Sequence, residues 1–220
     1  YVIPELEETY SMTQNEYHFG TVWDHTMMVL EGTKDDNMIL RISALLHDIG
    51  KIRVCTEDDG KIHFLKHELK SGEMIDELLR PLKFSNEIIK EVTFLVRNHM
   101  ICKTWGSECE YMKDKKLRRL QYECKTEERF RNLMTIIDAD NNAYAADKCM
   151  PKQVEFILSR TEAMKAEGSA MFGYKLPLTG KEIMDLKGIK PGSAVKECLD
   201  YLMKIAFANT KKKKEEFVKH

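Results

Sequence analysis

Residues Leu45-Leu46-His47-Asp48-Ile49-Gly50-Lys51 constrain this chain more than any other stretch. An apolar run leads directly into adjacent imidazole and carboxylate groups. Ile42, Leu45, Leu46 and Ile49 recur at the spacing of one buried helical face. A polar pair carried into a core must find partners, because burying an unpaired polar group costs roughly 2–7 kcal/mol. Two readings of the heptapeptide are open: ligands for a divalent metal, or a hydrogen-bonded pair inside an ordinary core. The remaining histidines decide how far the first reading extends.

The 220 residues suffice for one sizeable domain, or one domain with a smaller appendage. A formal net charge of -1 removes any whole-chain argument for a nucleic-acid partner, and no DNA partner is expected, but a local basic surface stays open. There is no run resembling a membrane span and no charged start followed by an apolar signal segment, so no membrane partner is expected and the expected compartment is the cytoplasm. Cys55, Cys102, Cys109, Cys124, Cys149 and Cys198 form no CxxC pair. Their spacing suits neither structural zinc nor a redox pair, and they read as reduced packing residues.

Taken in order, the chain reads as all-α. Thr21 and Asp24 have capping-box-like spacing at the start of a helix that Gly32 ends. Val22, His25, Thr26 and Val29 share one of its faces, so His25 points inward; a satisfied core histidine would do the same. A second helix, about Asn37 to Ile49 and preceded by Asp35 and Asp36, delivers His47 and Asp48, which border one cavity at different angles. Gly50 loosens or ends it. Asp58-Asp59-Gly60 is a turn signal, Lys61 to Phe64 a short extended piece, and His63 a surface or loop histidine. His67-Glu68 opens a helix that Pro81 breaks. Ser85 N-caps the next, where His99 continues the spacing of Ile88, Val92, Leu95 and Val96. A helix over residues 127–147 leads into Asp138-Ala139-Asp140. Asp138, one turn beyond Met134, is expected to reach the site of Asp48, and Asp140 to point elsewhere. Another amphipathic helix runs from Pro151 to about Glu167, and Gly168 marks a boundary. The expected organisation is a lead-in over 1–20, a helical core over 21–167 and a small helical unit over 168–220. The cluster Lys113, Lys115, Lys116, Arg118 and Arg119 and the tail Lys211 to Lys214 read either as solvated surface or as RNA-phosphate contacts.

His25, His47, Asp48 and Asp138 form a four-ligand set for a divalent metal: the imidazoles ligate when neutral and the aspartates offset the charge of the ion. Mixed nitrogen and oxygen donors accept Mn, Ni, Co, Mg, Fe or Zn alike. His67 and His99 have three open roles: holding a second metal bridged through Asp48, contacting a phosphate oxygen, or donating a proton. Lys51 stabilises phosphate charge or simply pairs with Asp48. A divalent ion stabilises hydroxide near neutral pH and polarises a phosphoryl group, so the set suits phosphoester hydrolysis on Asp48, Lys51, His67 and His99. No serine elbow is present.

The ordered pattern of His25, then His47-Asp48, then Asp138 resembles the HD superfamily of metal-dependent phosphohydrolases, whose corresponding residues ligate divalent metal in a helical fold. With His67 and His99 it looks like members with an enlarged, two-metal site. Val22-Trp23-Asp24-His25-Thr26, the Leu45 to Lys51 stretch, Phe84-Ser85-Asn86-Glu87 and Val96-Arg97-Asn98-His99-Met100 resemble the HD-containing region of bacterial CCA-adding tRNA nucleotidyltransferases and their poly(A) polymerase relatives. Leu176 to Met184 and Gly188-Ile189-Lys190-Pro191-Gly192 resemble the tRNA-binding part that follows. The head of those enzymes, a Gly-Ser motif followed by an Asp-x-Asp pair, has no counterpart in these residues. The resemblance therefore implies the C-terminal portion of such an enzyme, or a stand-alone HD protein of that architecture, that does not itself add CCA. Ile52 stands where those relatives often carry proline. The resemblance implies hydrolysis of a nucleotide or RNA-end phosphoester, such as a 2',3'-cyclic phosphate; the alternative it implies is a noncatalytic tRNA-positioning module.

Overall fold

Helical periodicity governs nearly every segment of the computed structural model, which describes residues 2–14, 18, 20–33, 36–210 and 214–218. Asp35 and Lys211, Lys212 and Lys213 of the basic tail lie outside the described residues. The elements are α1 (Glu5–Glu8), α2 (Val22–Gly32), α3 (Met38–Leu46), α4 (Lys51–Val54), β1 (Thr56–Asp58), β2 (Lys61–His63), α5 (His67–Leu79), α6 (Asn86–Asn98), α7 (Asp114–Cys124), α8 (Glu127–Asn142), α9 (Gln153–Ala166), α10 (Gly180–Lys187), α11 (Ser193–Ala208) and α12 (Lys214–Val218). The fold is all-α apart from the β1-β2 hairpin, the one sheet among the described residues. No described helix is long and apolar enough to cross a membrane.

The chain divides into two compact units. The first comprises Tyr1–Tyr111 and Arg131–Phe156, the second Met112–Phe130 and Ile157–His220. The lead-in expected over residues 1–20 thus falls within the first unit, and α7 clusters with the C-terminal helices.

In the first unit, local chemistry sets where each helix starts. Thr21 and Asp24 form the expected capping box: the Thr21 hydroxyl accepts from Asp24 N–H, and the Asp24 carboxylate accepts from Thr21 N–H at 2.8 Å. Asn37 caps α3 by accepting from Ile39 N–H at 3.0 Å, and Ser85 caps α6 by accepting from Ile88 N–H at 3.3 Å. α3 ends at Leu46, short of the Ile49 expected from periodicity. Past Leu46 the backbone bonds span three residues instead of four, with Ile49 N–H donating to Leu46 O and Lys51 N–H to Asp48 O. His47 and Asp48 therefore sit in a tight turn after the helix. The core beside this turn holds Leu46, Ile49, Ile75, Leu79, Val92 and Val96, which tie the end of α3 to α5 and α6. The hairpin turns on Asp59 and Gly60, both with positive φ (46° and 71°), the geometry that Asp-Gly favours in a two-residue hairpin loop.

The second unit has its own core of Met171, Leu178, Ile183, Leu202, Phe207 and Phe217. Thr179 and Glu182 form a second capping box, and Gly188, at φ 63°, closes α10 with its N–H on Met184 O. Arg160 on α9 grips Asp114 on α7 through two bonds, 3.0 and 2.7 Å long. The buried Gln121 is satisfied at both ends, accepting from Met171 N–H at 3.1 Å and donating to Thr161 Oγ1 at 3.3 Å.

Candidate metal centre

Four buried imidazoles converge in the first unit, and each has its Nδ1 tied down. Nδ1 of His47 lies 2.7 Å from Ala44 O, that of His67 2.9 Å from Phe64 O, and that of His99 2.7 Å from Val96 O. In each case the carbonyl lies three residues back, so the turn that carries the histidine also orients its ring. Nδ1 of His25 lies 3.2 Å from Ala143 O, just past the end of α8. A carbonyl can only accept, so these bonds place a proton on Nδ1, and in the neutral imidazole Nε2 then carries the lone pair, the arrangement found where imidazoles ligate metals. The Nε2 atoms face one another: His47 to His25 at 3.4 Å and His67 to His99 at 3.3 Å.

Two carboxylates complete the cluster. Asp48 Oδ2 lies 3.2 Å from His47 Nε2 and 3.6 Å from His25 Nε2, while its Oδ1 lies 3.0 Å from His67 Nε2 and 3.7 Å from His99 Nε2. One aspartate thus faces both histidine pairs, one oxygen to each. The second carboxylate is Asp140, whose Oδ1 lies 3.1 Å from His25 Nε2. Asp138, the carboxylate expected from the sequence, is a correction: it is half-buried, and burial raises its pKa, opposed by a bond from Asn142. The buried row at the end of α8 runs Leu133, Ile136, Ile137, Asp140 and Asn141, spaced at 3, 4, 7 and 8 residues from the first. Met134 is buried as well, but one turn on from it lies the half-buried Asp138; the sequence signal for Asp140 is Ile136, an apolar residue one turn before it.

Lysines balance the buried negative charge. Lys51 Nζ lies 2.7 Å from Asp48 Oδ2 and donates to Gln14 Oε1 at 2.7 Å. Lys103 Nζ lies 2.9 Å from Asp140 Oδ2, donates to Asn141 Oδ1 at 2.8 Å and stands 4.0 Å over the Tyr144 ring. Burial opposes ionisation of Asp48, but His47 and Lys51 outweigh it and hold its carboxyl well below the usual range. Asp140 is likewise held well below its usual range, against burial, by Lys103 and His25. Burial disfavours a charged His47, yet Asp48 prevails and raises its pKa; burial, then His47 and His67, push His99 down to about 3. His18, in a polar stretch without periodicity, stacks edge-on to His25 at 4.7 Å, and burial followed by Lys51 lowers its pKa to about 3. Neither His18 nor Gln14, Lys103 or Tyr144 carries a sequence signal that would place it here.

The residues fit a divalent ion. Two donors about 2.1 Å from one ion lie about 3.0 Å apart at a right angle and about 3.4 Å apart at a tetrahedral one. Around His25, the distances His25–Asp140, His25–His47 and His25–Asp48, with His47–Asp48, run from 3.1 to 3.6 Å. Asp48 Oδ1 and Asp140 Oδ2 are buried and make no well-directed hydrogen bond, although His67 Nε2 and Lys103 Nζ stand 3.0 and 2.9 Å away, so each oxygen keeps a lone pair open to an ion. Two groups of donors, His25-His47-Asp140 and His47-Asp48-His99, each have their ligand atoms within 4.8 Å of one another. The cluster opens into a cavity of about 310 Å³. Lys51, Lys103, His67 and His99 line its charged floor, and His63, an exposed histidine, stands at its rim.

A family model described as the HD domain matches residues 15–141, more than half of the chain. The chain belongs to the HD-domain family. HD domains bind divalent metals, and the buried His/Asp clusters supply donors for one. This HD chain is 27% identical over 204 residues to the A-adding tRNA nucleotidyltransferase of Deinococcus radiodurans, covering 90% of the chain and 45% of that protein. It is 24% identical over 211 residues to the CC-adding tRNA nucleotidyltransferase of Thermus thermophilus, covering 91% and 44%. The chain therefore spans less than half the length of these relatives, and the similarity continues through the second unit.

Proposed function

We propose that this HD chain is a metal-dependent phosphohydrolase acting on a nucleotide or RNA-end phosphoester such as a 2',3'-cyclic phosphate. The observation that carries this reading is the convergence of four Nδ1-anchored imidazoles on the two oxygens of Asp48, at the floor of an open cavity. His25, His47, Asp48 and Asp140 would hold one divalent cation, and His67, His99 and Asp48 Oδ1 provide the donors for a second. Such an ion supplies Lewis acidity toward a phosphoryl oxygen and makes hydroxide available near neutral pH. The protein's own groups do the rest. Lys51 and Lys103 bring positive charge to the cavity floor, where phosphate charge develops. Ala44 O, Phe64 O, Val96 O and Ala143 O keep the rings oriented, so little reorganisation accompanies reaction. If only one cation is held, Nε2 of His67, which lines the cavity, is the atom that would contact a phosphate oxygen or pass a proton to a leaving group.

The test is turnover of a nucleoside 2',3'-cyclic phosphate by purified chain loaded in turn with Mn, Ni, Co, Mg, Fe and Zn. The expected result is hydrolysis that falls at least about a hundredfold in His47→Ala and Asp48→Ala proteins that retain native circular dichroism. Absence of turnover on cyclic, 2'-nucleotide and model phosphodiester substrates, with every metal, would remove the reading.

One observation favours a second reading, a tRNA-positioning module. In the second unit, Lys115, Lys116, Arg119 and Lys204 border an open groove of about 570 Å³ that Glu123 and Asp200 also line, Arg119 pairing with Glu123 at 2.7 Å. The excess of cations suits RNA phosphates, and both relatives above are named as tRNA nucleotidyltransferases. Such binding is compatible with hydrolysis in the first unit.

A further inference from the structure

The cavity over the histidine cluster has two unlike sides. Its floor is charged, with Asp48, Asp140, Lys51 and Lys103. Its apolar wall is formed by Leu65 and Met100 with Phe64 and Tyr144 beside them, the two rings lying 5.2 Å from Lys51 Nζ and 4.0 Å from Lys103 Nζ. Leu65 stands out because it is 76% exposed while it borders a cavity floored by buried charges. Its neighbours explain how it is held there. Phe64, next to it, is buried, and Phe64 O is fastened by His67 Nδ1 at 2.9 Å. Lys66, on the other side, adopts positive φ (60°), which sharply reverses the backbone before α5. The segment is thus pinned at both ends, and Leu65 is turned out at the cavity rim instead of into the core behind it. A lone exposed leucine elsewhere on a surface needs no explanation. One lining a polar cavity beside a methionine and two aromatic rings gives the cavity an apolar seat.

We infer that this wall, through Leu65 and Met100, recognises the base of a nucleoside phosphate whose phosphate lies on the charged floor. The inference rests on the phosphohydrolase reading and deepens it by naming the substrate's second recognition element. An apolar wall gives nothing to a bare phosphate or a small polyol phosphate but desolvates the flat face of a base. At about 310 Å³ the cavity sits at the low end of small-molecule pockets, a size that suits one nucleotide unit. The substrates it favours are therefore single nucleotides and unpaired terminal nucleotides of RNA. Leu65 and Met100 act as specificity-determining residues that leave the phosphate chemistry alone.

Equilibrium binding tests this without turnover. Isothermal titration of the full metal-loaded chain with adenosine 3'-monophosphate and with glycerol 2-phosphate separates the two sides of the cavity. The expected result is tighter binding of the nucleotide, a loss of about five- to twentyfold for it in Leu65→Ala and in Met100→Ala, and unchanged binding of glycerol 2-phosphate. Leu65→Met, which keeps an apolar side chain, should restore most of the nucleotide affinity. If wild-type chain binds both ligands equally, or if the variants weaken both alike or neither, the inference is overturned while the phosphate site stands. If wild-type chain binds neither ligand, the inference and the phosphohydrolase reading fall together.

Discussion

Seven ionisable side chains, His25, His47, Asp48, Lys51, His67, His99 and Asp140, are buried in one cluster. An uncompensated buried ion costs several kcal/mol, whereas a fully buried leucine returns about 1.5–3 kcal/mol. A chain built for stability alone would fill this space with hydrocarbon, so the retained cluster supports the metal-site reading. The decisive single residue is Asp140, because Asp138 lies two positions away and offers the same functional group. Asp140→Asn removes a full negative charge from beside His25 and Lys103. Metal affinity is expected to fall by more than about tenfold, the low end of what even outer-shell partners cost. Asp138→Asn changes a half-buried carboxylate outside the cluster and should leave affinity within about twofold of wild type. Metal content by elemental analysis after dialysis against a graded chelator reads both; equal losses would return Asp138 to the ligand set. In the sequence His25 and His99 stand out by inward helical spacing and His47-Asp48 and His67 by their place at helix ends, and the structure brings all of them into one cluster. His18 and Lys103 were not, because each arrives from an irregular segment with no repeat to extrapolate.

At the scale of elements, the turn after α3 decides how the two histidine pairs meet. Gly50 was expected to loosen or end the helix. Its backbone is ordinary right-handed, at φ -67° and ψ -17°, so conformational freedom is not the reason for glycine here. Space is the reason. A Cβ at Gly50 would stand 2.4 Å from Ser71 N and 2.6 Å from His67 O, both backbone atoms of α5 that cannot swing aside. Gly50 N–H also donates to Ser71 Oγ at 2.8 Å. This close approach sets the distance between Asp48 and His67. Gly50→Ala is expected to destabilise the chain by about 1–3 kcal/mol through overpacking and to weaken metal binding, because α5 must move away and carry His67 with it. Gly60→Ala is the control: its left-handed turn (φ 71°) strains a side chain by about 1–2 kcal/mol, but no atom lies within 4 Å and metal binding should be untouched. Thermal melting together with metal titration of the two variants separates the effects. Equal metal affinity in Gly50→Ala would show that α5 accommodates the methyl group in place.

At the scale of the whole molecule, a net charge near zero conceals local asymmetry. The formal charge of -1 argues against a nucleic-acid partner for the chain as a whole, yet four cations border one groove of the second unit. Changing Lys115, Lys116, Arg119 and Lys204 together to Gln should lower the salt dependence of tRNA binding, with the log-log slope falling by about 0.7–0.9 for each phosphate no longer neutralised. Hydrolysis in the first unit should be unaffected. A tRNA-binding slope that stays at the wild-type value would exclude the groove as the RNA-binding surface. The sequence by itself determined the helical class, the capping box that starts α2, the N-cap that starts α6, and the inward spacing of His25 and His99, because these depend on residues within a few positions of one another. It also carried the HD pattern, which is a matter of order along the chain. The tertiary structure decided which carboxylate of α8 faces His25, which lysines neutralise the aspartates, why position 50 is glycine, and that α7 clusters with the C-terminal helices. Each of these rests on groups tens of residues apart coming within a few ångströms, and no local period encodes the distance between two helices.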